Sequence, residues 1–161
     1  MLIRTATIHD LDAVAALEAA CFPPAEAATA AQFAGRLRHY GGHFWRLFDG
    51  DRLVSFVDGF CTDLPDLTDE MYENAALHQE RGAWQMIFGV LTHPDYRGRG
   101  CAGQLLQRAI DDARAQGRMG LVLTCKDRLV PYYARFGFQN EGVTPNSTHG
   151  GVSWNQMRLT F

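Results

Sequence analysis

The stretch from Trp84 to Cys125 limits the fold more than any other part of the chain. WQMIFGVLT, Trp84 to Thr92, is almost continuously apolar, as a strand covered on both faces should be, and Gly89 within it predicts a bulge or a close backbone approach. THPDYRGRGCAG, Thr92 to Gly103, then packs two arginines and three glycines into a junction. Beyond it Ala102, Leu105, Leu106, Ala109, Ile110 and Ala113 recur at the spacing of one helical face, and Gly117 stops the helix. LVLTC, Leu121 to Cys125, reads as a second buried strand. Two buried strands joined through a helix run parallel, so a βαβ unit stands at the centre of the fold.

The flanking elements follow from local signals. Leu2 to Ala6 reads as a short strand, and Thr7 with Asp10 forms a capping box ahead of Leu11, Val14 and Leu17. Pro23 and Pro24 make Cys21 to Ala28 a loop. Thr29 with Gln32 caps a second helix carrying Phe33, Leu37 and Tyr40, which Gly41 and Gly42 end. Phe44 to Phe48 and Leu53 to Phe60 flank Asp49-Gly50, a strong hairpin signal. Cys61 to Gly82 is acidic and reads as a solvated loop with a short helix. Asp127 is placed to cap a short helix through LVPYYARF, Gly137 ends it, Phe138 begins another strand, and a turn-rich stretch leads to a last strand, VSWNQMRLTF. The order defines an α/β domain over residues 1–161 with a mixed sheet.

Charge and composition remove several classes of function. With 47% hydrophobic residues and a formal charge of -3, the chain is built for a sizeable core and carries no global basic field for nucleic acid. No apolar stretch approaches the ~18 residues of a membrane span. Cys21, Cys61, Cys101 and Cys125 form no CxxC pair, and the N-terminus lacks a signal-peptide core, so reduced thiols and a cytoplasmic location are expected. His39 and His43 have a metal-like spacing, but Gly41 and Gly42 would disrupt a helix carrying both, and no metal is expected. The sequence is open to a homodimer.

Glycines that let a ligand approach the N–H groups of a helix N-terminus, with arginines beside them, make an anion site suited to a phosphate or pyrophosphate. Gly98-Arg99-Gly100-Cys101-Ala102-Gly103 also matches the GxGxxG dinucleotide fingerprint, with Asp127 roughly the expected ~20 residues on. That fingerprint needs its first glycine directly after the strand, whereas His93 to Arg97 intervene. An NAD(P)-binding enzyme is therefore the third choice, and a plain surface turn explains poorly why both arginines stand at the mouth of one helix.

Arg97-Gly98-Arg99-Gly100-Cys101-Ala102 after an apolar strand resembles the Q/R-x-x-G-x-G/A acetyl-CoA signature of the GNAT N-acetyltransferase superfamily. CFPPAEA, the acidic insertion, HPDYRGRG, CKDRLVPYYARFGF and STHGGVSW together resemble the arylalkylamine (serotonin) N-acetyltransferase group over nearly the whole chain. The resemblance implies a single GNAT-like domain: a mixed, mostly antiparallel twisted sheet with one central parallel pair splayed at a bulge, flanked by helices. It implies that the backbone of Val90, Leu91 and Thr92 pairs with the pantetheine arm, and that Arg97, Gly98, Arg99, Gly100, Cys101, Ala102 and Gly103 hold the pyrophosphate. Tyr133 falls on the family's catalytic tyrosine, which protonates the departing CoA thiolate; composition alone makes it a core aromatic.

The expected activity is acetyl transfer from acetyl-CoA to a primary amine of a small molecule, arylalkylamine or polyamine, in a ternary complex. An ammonium must lose a proton before it attacks a thioester, so a base is needed. Vertebrate members use two histidines on the central strand, where this chain has Met86 and Phe88. Glu26 and His149 are the candidate bases, with a water chain as the alternative. Phe22, Pro24, Phe56, Phe88 and Thr124 are the expected amine pocket, and the acidic insertion would attract a cation. The competing reading is a non-catalytic acyl-CoA-binding module that has lost its base.

Overall fold

The computed structural model describes residues 1–161. Its elements are β1 (Leu2–Arg4), α1 (Leu11–Cys21), α2 (Ala30–Tyr40), β2 (Phe44–Asp49), β3 (Arg52–Asp58), β4 (Cys61–Thr62), α3 (Asp69–Glu73), β5 (Trp84–Ile87), β6 (Gly89–Thr92), α4 (Cys101–Ala115), β7 (Gly120–Cys125), α5 (Val130–Ala134), β8 (Gln139–Val143) and β9 (Asn155–Thr160). No helix is long and apolar enough to cross a membrane.

Both capping boxes form. Gln32 N donates to Thr29 Oγ1 at 3.2 Å while Thr29 N donates to Gln32 Oε1 at 2.7 Å, satisfying two N–H groups that α2 cannot satisfy internally. The Thr7–Asp10 box closes a single 3₁₀ turn, Ile8–Asp10, before α1 begins at Leu11. Gly41 ends α2 differently from the expectation of a left-handed cap. Its backbone stays right-handed, and a Cβ there would lie 2.4 Å from Ala6 O, so the glycine is required by the close passage of β1's exit. Asp127 lies inside a 3₁₀ turn capped by Lys126, and its carboxylate instead accepts from Asn155 Nδ2 at 2.5 Å.

The apolar run Trp84–Thr92, expected as one strand, is two. β5 pairs parallel with β7, from Trp84 opposite Gly120 to Ile87 opposite Leu123, and this is the only parallel pair. Past Phe88 the chain leaves β7, and β6 pairs antiparallel with β3 alone. The strands therefore fall into two groups, β1-β2-β3-β6 and β4-β5-β7-β9-β8. They are stitched where β3 runs into β4 alongside the break: Phe88 N donates to Asp58 O and Met86 N to Phe60 O, both at 2.7 Å. Gly59 is essential to that seam, because a Cβ on it would sit 1.7 Å from Met86 O. The result is a mixed, mostly antiparallel sheet splayed at a bulge, with helices on both faces.

α4 covers one face with Leu105, Leu106, Ala109 and Ile110, packed on Trp45, Leu121 and Leu123. Each of its large aliphatic side chains contributes roughly 1.5–3 kcal/mol by leaving water. α1 and α2 cover the other face through Val14, Leu17, Phe33 and Leu37 against Phe44, Phe56 and Leu91. The acidic segment extends that layer, placing Leu67 and Met71 over Phe60, Met86 and Val122. Phe56, expected in the amine pocket, is fully buried, with its ring 5.7 Å from Phe33 and 5.0 Å from Phe44. Its inward direction follows from the alternation of β3.

Candidate active site

The parting of β6 from β7 leaves a V-shaped opening with an unpaired strand edge on one side. His93 N donates to Val54 O, which makes Ser55 and Thr92 a non-hydrogen-bonded pair. By alternation, Val90 and Thr92 turn their N–H and C=O groups away from β3, into the opening, while Leu91 turns its groups toward β3. Thr92 O accepts from Cys21 Sγ at 3.3 Å, which agrees with that direction. Val90 offers an amide and a carbonyl to any extended ligand laid along the edge. The half-burial of Val90 and Thr92, against the full burial of β5, reflects this opening.

At the far end of β6 a 3₁₀ turn, Pro94–Tyr96, carries the chain to the N-terminus of α4. Gly98 and Gly100 have φ of 78° and 74°, left-handed values that only glycine adopts without strain, and Gly100 is the N-cap. The first N–H groups of α4, from Cys101 to Gly103, have no acceptor inside the helix and face out beside Gly98 and Gly100. Arg97 and Arg99 are exposed and form no ion pair; Arg99 rests over the Tyr96 ring at 4.9 Å. Unspent N–H groups, a helix dipole and two unpaired guanidinium groups suit a pyrophosphate.

A cleft runs from the opening between α1, the loop after it, and the C-terminal turn. Phe22, Glu26, Phe88, Val90, Thr124, Tyr133 and His149 line it, so seven of the site residues expected from the sequence come together. Pro24 does not; it is exposed on the loop's outer side. Met86 is fully buried in the cluster of Tyr40, Phe60 and Met71 and does not line the cleft, whereas Phe88, at the break itself, is part of the wall. Tyr133, on α5, packs against Phe138 and Tyr132, and burial pushes its hydroxyl pKa well above the ordinary phenol value, so it stays protonated. Glu26 pairs with Lys126 Nζ at 2.5 Å. His149 Nε2 meets the backbone oxygen of Glu26 at 2.8 Å; a carbonyl only accepts, so Nε2 carries the proton and the lone pair of the neutral ring lies on Nδ1. Its ring stacks on Tyr72 at 5.4 Å, and Tyr72 Oη in turn bonds Thr124 Oγ1 at 3.0 Å.

Two groups of the wall went unread in the sequence. Arg36 and Asp58 form a buried ion pair at 3.1 Å, with Arg36 also donating to Tyr72 O at 3.1 Å. Glu18 faces the cleft from α1, only 6% exposed, and accepts from Ala28 N at 2.8 Å. Burial raises its pKa to about 7 against the pull of that N–H and of Arg36, while Asp58 pushes it the same way as burial. The signal was present as a lone acid on the face of α1 shared with Val14 and Leu17, but periodicity alone could not tell a cleft from a core.

Away from the cleft, ligand atoms of His43, His78 and Glu80 lie within 4.8 Å of one another. This is not the His39–His43 spacing considered from sequence. His43 Nδ1 meets Gln85 Oε1 at 3.0 Å, and His78 Nδ1 accepts from Cys61 N at 3.0 Å and thereby directs its Nε2–H to Glu80 at 2.7 Å. The trio is a hydrogen-bonded network that ties the acidic segment to the turn before β2.

The structure thus sets an open strand edge, a glycine-arginine helix N-terminus after it and a buried tyrosine beside one cleft. A model of the acetyltransferase (GNAT) family matches residues 11–138, and the chain belongs to that family. Among curated relatives, serotonin N-acetyltransferase of Mesocricetus auratus is 34% identical over 115 residues, covering 71% of this chain and 54% of the relative. That of Macaca mulatta is 29% identical over the same extent. The chain thus spans about half the length of the curated relatives it matches. Of solved structures, the GphF GNAT-like decarboxylase in complex with isobutyryl-CoA has a TM-score of 0.85 at 21% identity, covering 99% of both chains. The ribosomal-protein-S18-alanine N-acetyltransferase from Escherichia coli has a TM-score of 0.74 at 18% identity, covering 99% of this chain and 92% of that one. These likenesses are of fold.

Proposed function

We propose that the protein transfers an acetyl group from acetyl-CoA to the primary amine of a small molecule, of arylalkylamine or polyamine type, by direct attack in a ternary complex. The observation that carries this reading is the order of the parts: Val90 and Tyr133 line one cleft, and the strand that offers the free edge at Val90 runs on through a single 3₁₀ turn to the Gly98–Gly103 loop at the head of α4. Pantetheine along the edge and pyrophosphate on the helix N-terminus would hold the thioester at the break near Phe88. The outward N–H of Val90 would donate to the oxyanion that forms on attack. The neutral Tyr133 hydroxyl would donate to the departing sulfur and regain a proton from the acetylated nitrogen. Phe22, Phe88 and Tyr72 offer apolar and aromatic surface to the body of the amine. The serotonin N-acetyltransferase relatives favour a small amine over a protein acceptor.

The second reading, a non-catalytic acyl-CoA-binding module, rests on Met86 and Phe88, neither of which can take a proton. A dinucleotide enzyme fits poorly, since the 3₁₀ turn separates strand from glycines and only one parallel pair exists. A panel of amines with acetyl-CoA, followed by free-thiol release, discriminates among them. Turnover with an arylalkylamine or polyamine is expected; CoA-dependent thermal stabilisation without turnover on any amine would leave the binding module. In Tyr133→Phe, kcat should fall by about 10²-fold or more with CoA affinity retained. An unchanged kcat would remove Tyr133 from the reaction.

A further inference from the structure

We infer that Glu18 is the general base that takes the proton from the incoming ammonium. The inference rests on the acetyltransferase reading above and names the group that reading lacks. Four carboxylates or imidazoles are close enough to the cleft to be considered, and their partners separate them. Asp58 spends one oxygen on Arg36 and is fully enclosed. Glu26 is neutralised by Lys126, and His149 donates from Nε2 to the Glu26 backbone and stacks on Tyr72, so that only Nδ1 is left to act and no negative charge is there to draw an ammonium. Glu18 alone is a carboxyl that lines the cleft without a cationic partner: one oxygen accepts from Ala28 N, and Arg36 is bonded elsewhere.

A buried carboxyl with no counter-ion is an unfavourable arrangement in an isolated protein. A primary ammonium entering the cleft would supply the missing charge, so the same feature that destabilises the free site recognises the substrate. The second oxygen of Glu18 is the acceptor. The charged and titratable groups facing Glu18 are Asp58 from β3 and Arg36 from α2, Cys21 on its own helix, and Glu26, Tyr72 and His149 across the cleft.

The step balances in atoms and charge. One N–H bond of the ammonium breaks and its proton passes to Glu18, leaving a lone pair on nitrogen and a neutral carboxylic acid, the form that burial favours. The lone pair forms the C–N bond at the thioester carbonyl. Collapse breaks the C–S bond, and the sulfur receives the second nitrogen proton by way of Tyr133. Amide, free thiol and protonated Glu18 result; Glu18 returns its proton to solvent when the product leaves. A carboxyl titrating near 7 has the basicity such a transfer needs at neutral pH.

The test is the pH profile of kcat/KM for the best amine of the panel in the wild type, Glu18→Gln, Glu26→Gln and His149→Ala. Wild type should rise through a limb near pH 7. Glu18→Gln keeps an oxygen to accept from Ala28 N and should bind acetyl-CoA normally, but kcat/KM at pH 7 should drop by about 10²–10⁴-fold. Its activity should recover toward pH 10, where the amine is already free, a rescue that a merely structural role does not produce. If Glu18→Gln keeps both its rate and the limb, or if the limb vanishes in Glu26→Gln or His149→Ala instead, Glu18 is not the base. Absence of wild-type turnover on every amine, with CoA bound, would overturn the activity reading and Glu18's role with it, a pattern distinct from the other two.

Discussion

Glu18 also makes a prediction about stability, because a carboxyl that titrates at about 7 in the fold and near 4.5 when free links folding to pH. Below pH 4.5 both states hold the proton and the contribution to stability is intact. Between 4.5 and 7 the unfolded chain ionises while the native state retains its proton, so stability falls as pH rises, and above 7 the loss is complete. The full loss is on the order of 3 kcal/mol. Glu18→Gln, which never ionises, should therefore melt above wild type at pH 8 and match it at pH 4.5 in thermal denaturation. Equal melting at both pH values would show that Glu18 is as well solvated in the fold as out of it. Tyr133 is the converse case at this scale. Its apolar neighbours in sequence read as core and it is indeed buried, yet it also borders the cleft; one residue is in both categories because α5 ends at the mouth of the splay.

At the scale of elements, the strand-loop-helix unit was the most legible part of the chain, since the helical face of α4 and the glycines before it follow from spacing alone. Gly100 tests whether that loop works as argued. An alanine there meets no atom within 4 Å, so the only penalty is a left-handed φ of 74°, about 1–2 kcal/mol. Gly100→Ala should lower stability by that amount in chemical denaturation and weaken CoA binding in calorimetry, because the N–H groups turn away from the phosphate. CoA affinity equal to wild type would place the pyrophosphate elsewhere. The division of Trp84–Thr92 into β5 and β6 was not legible to the same degree. Gly89 signalled an irregularity, but an apolar run says nothing about which neighbour each half will pair with.

Across the whole molecule, the Arg36–Asp58 pair joins α2, β3 and the acidic segment through Tyr72 O, and it lies where the two groups of strands separate. Removing one partner leaves a buried charge uncompensated, which costs about 3–5 kcal/mol. Arg36→Met should lose that much in urea denaturation, and Arg36→Met with Asp58→Asn should recover part of it by discarding the orphaned charge. Wild-type stability in the single variant would mean that water reaches Asp58 and that the seam is not closed.

What the sequence by itself determined is what short-range spacing can encode: the capping boxes, the Asp49-Gly50 hairpin, the face of α4, the anion loop, and the motif that singled out Tyr133. Each depends on residues within a few positions of one another, where propensity and turn chemistry act directly. The cleft was decided only by tertiary structure. Glu18, Arg36, Asp58 and Tyr72 come from four elements, and whether an acid on a helix faces solvent, core or substrate depends on what packs across from it. Phe56 and Phe88 show the same limit from the apolar side: both are aromatic residues in apolar runs, but one, on β3, faces into the core under α2 and the other stands at the break between β5 and β6, where the sheet opens.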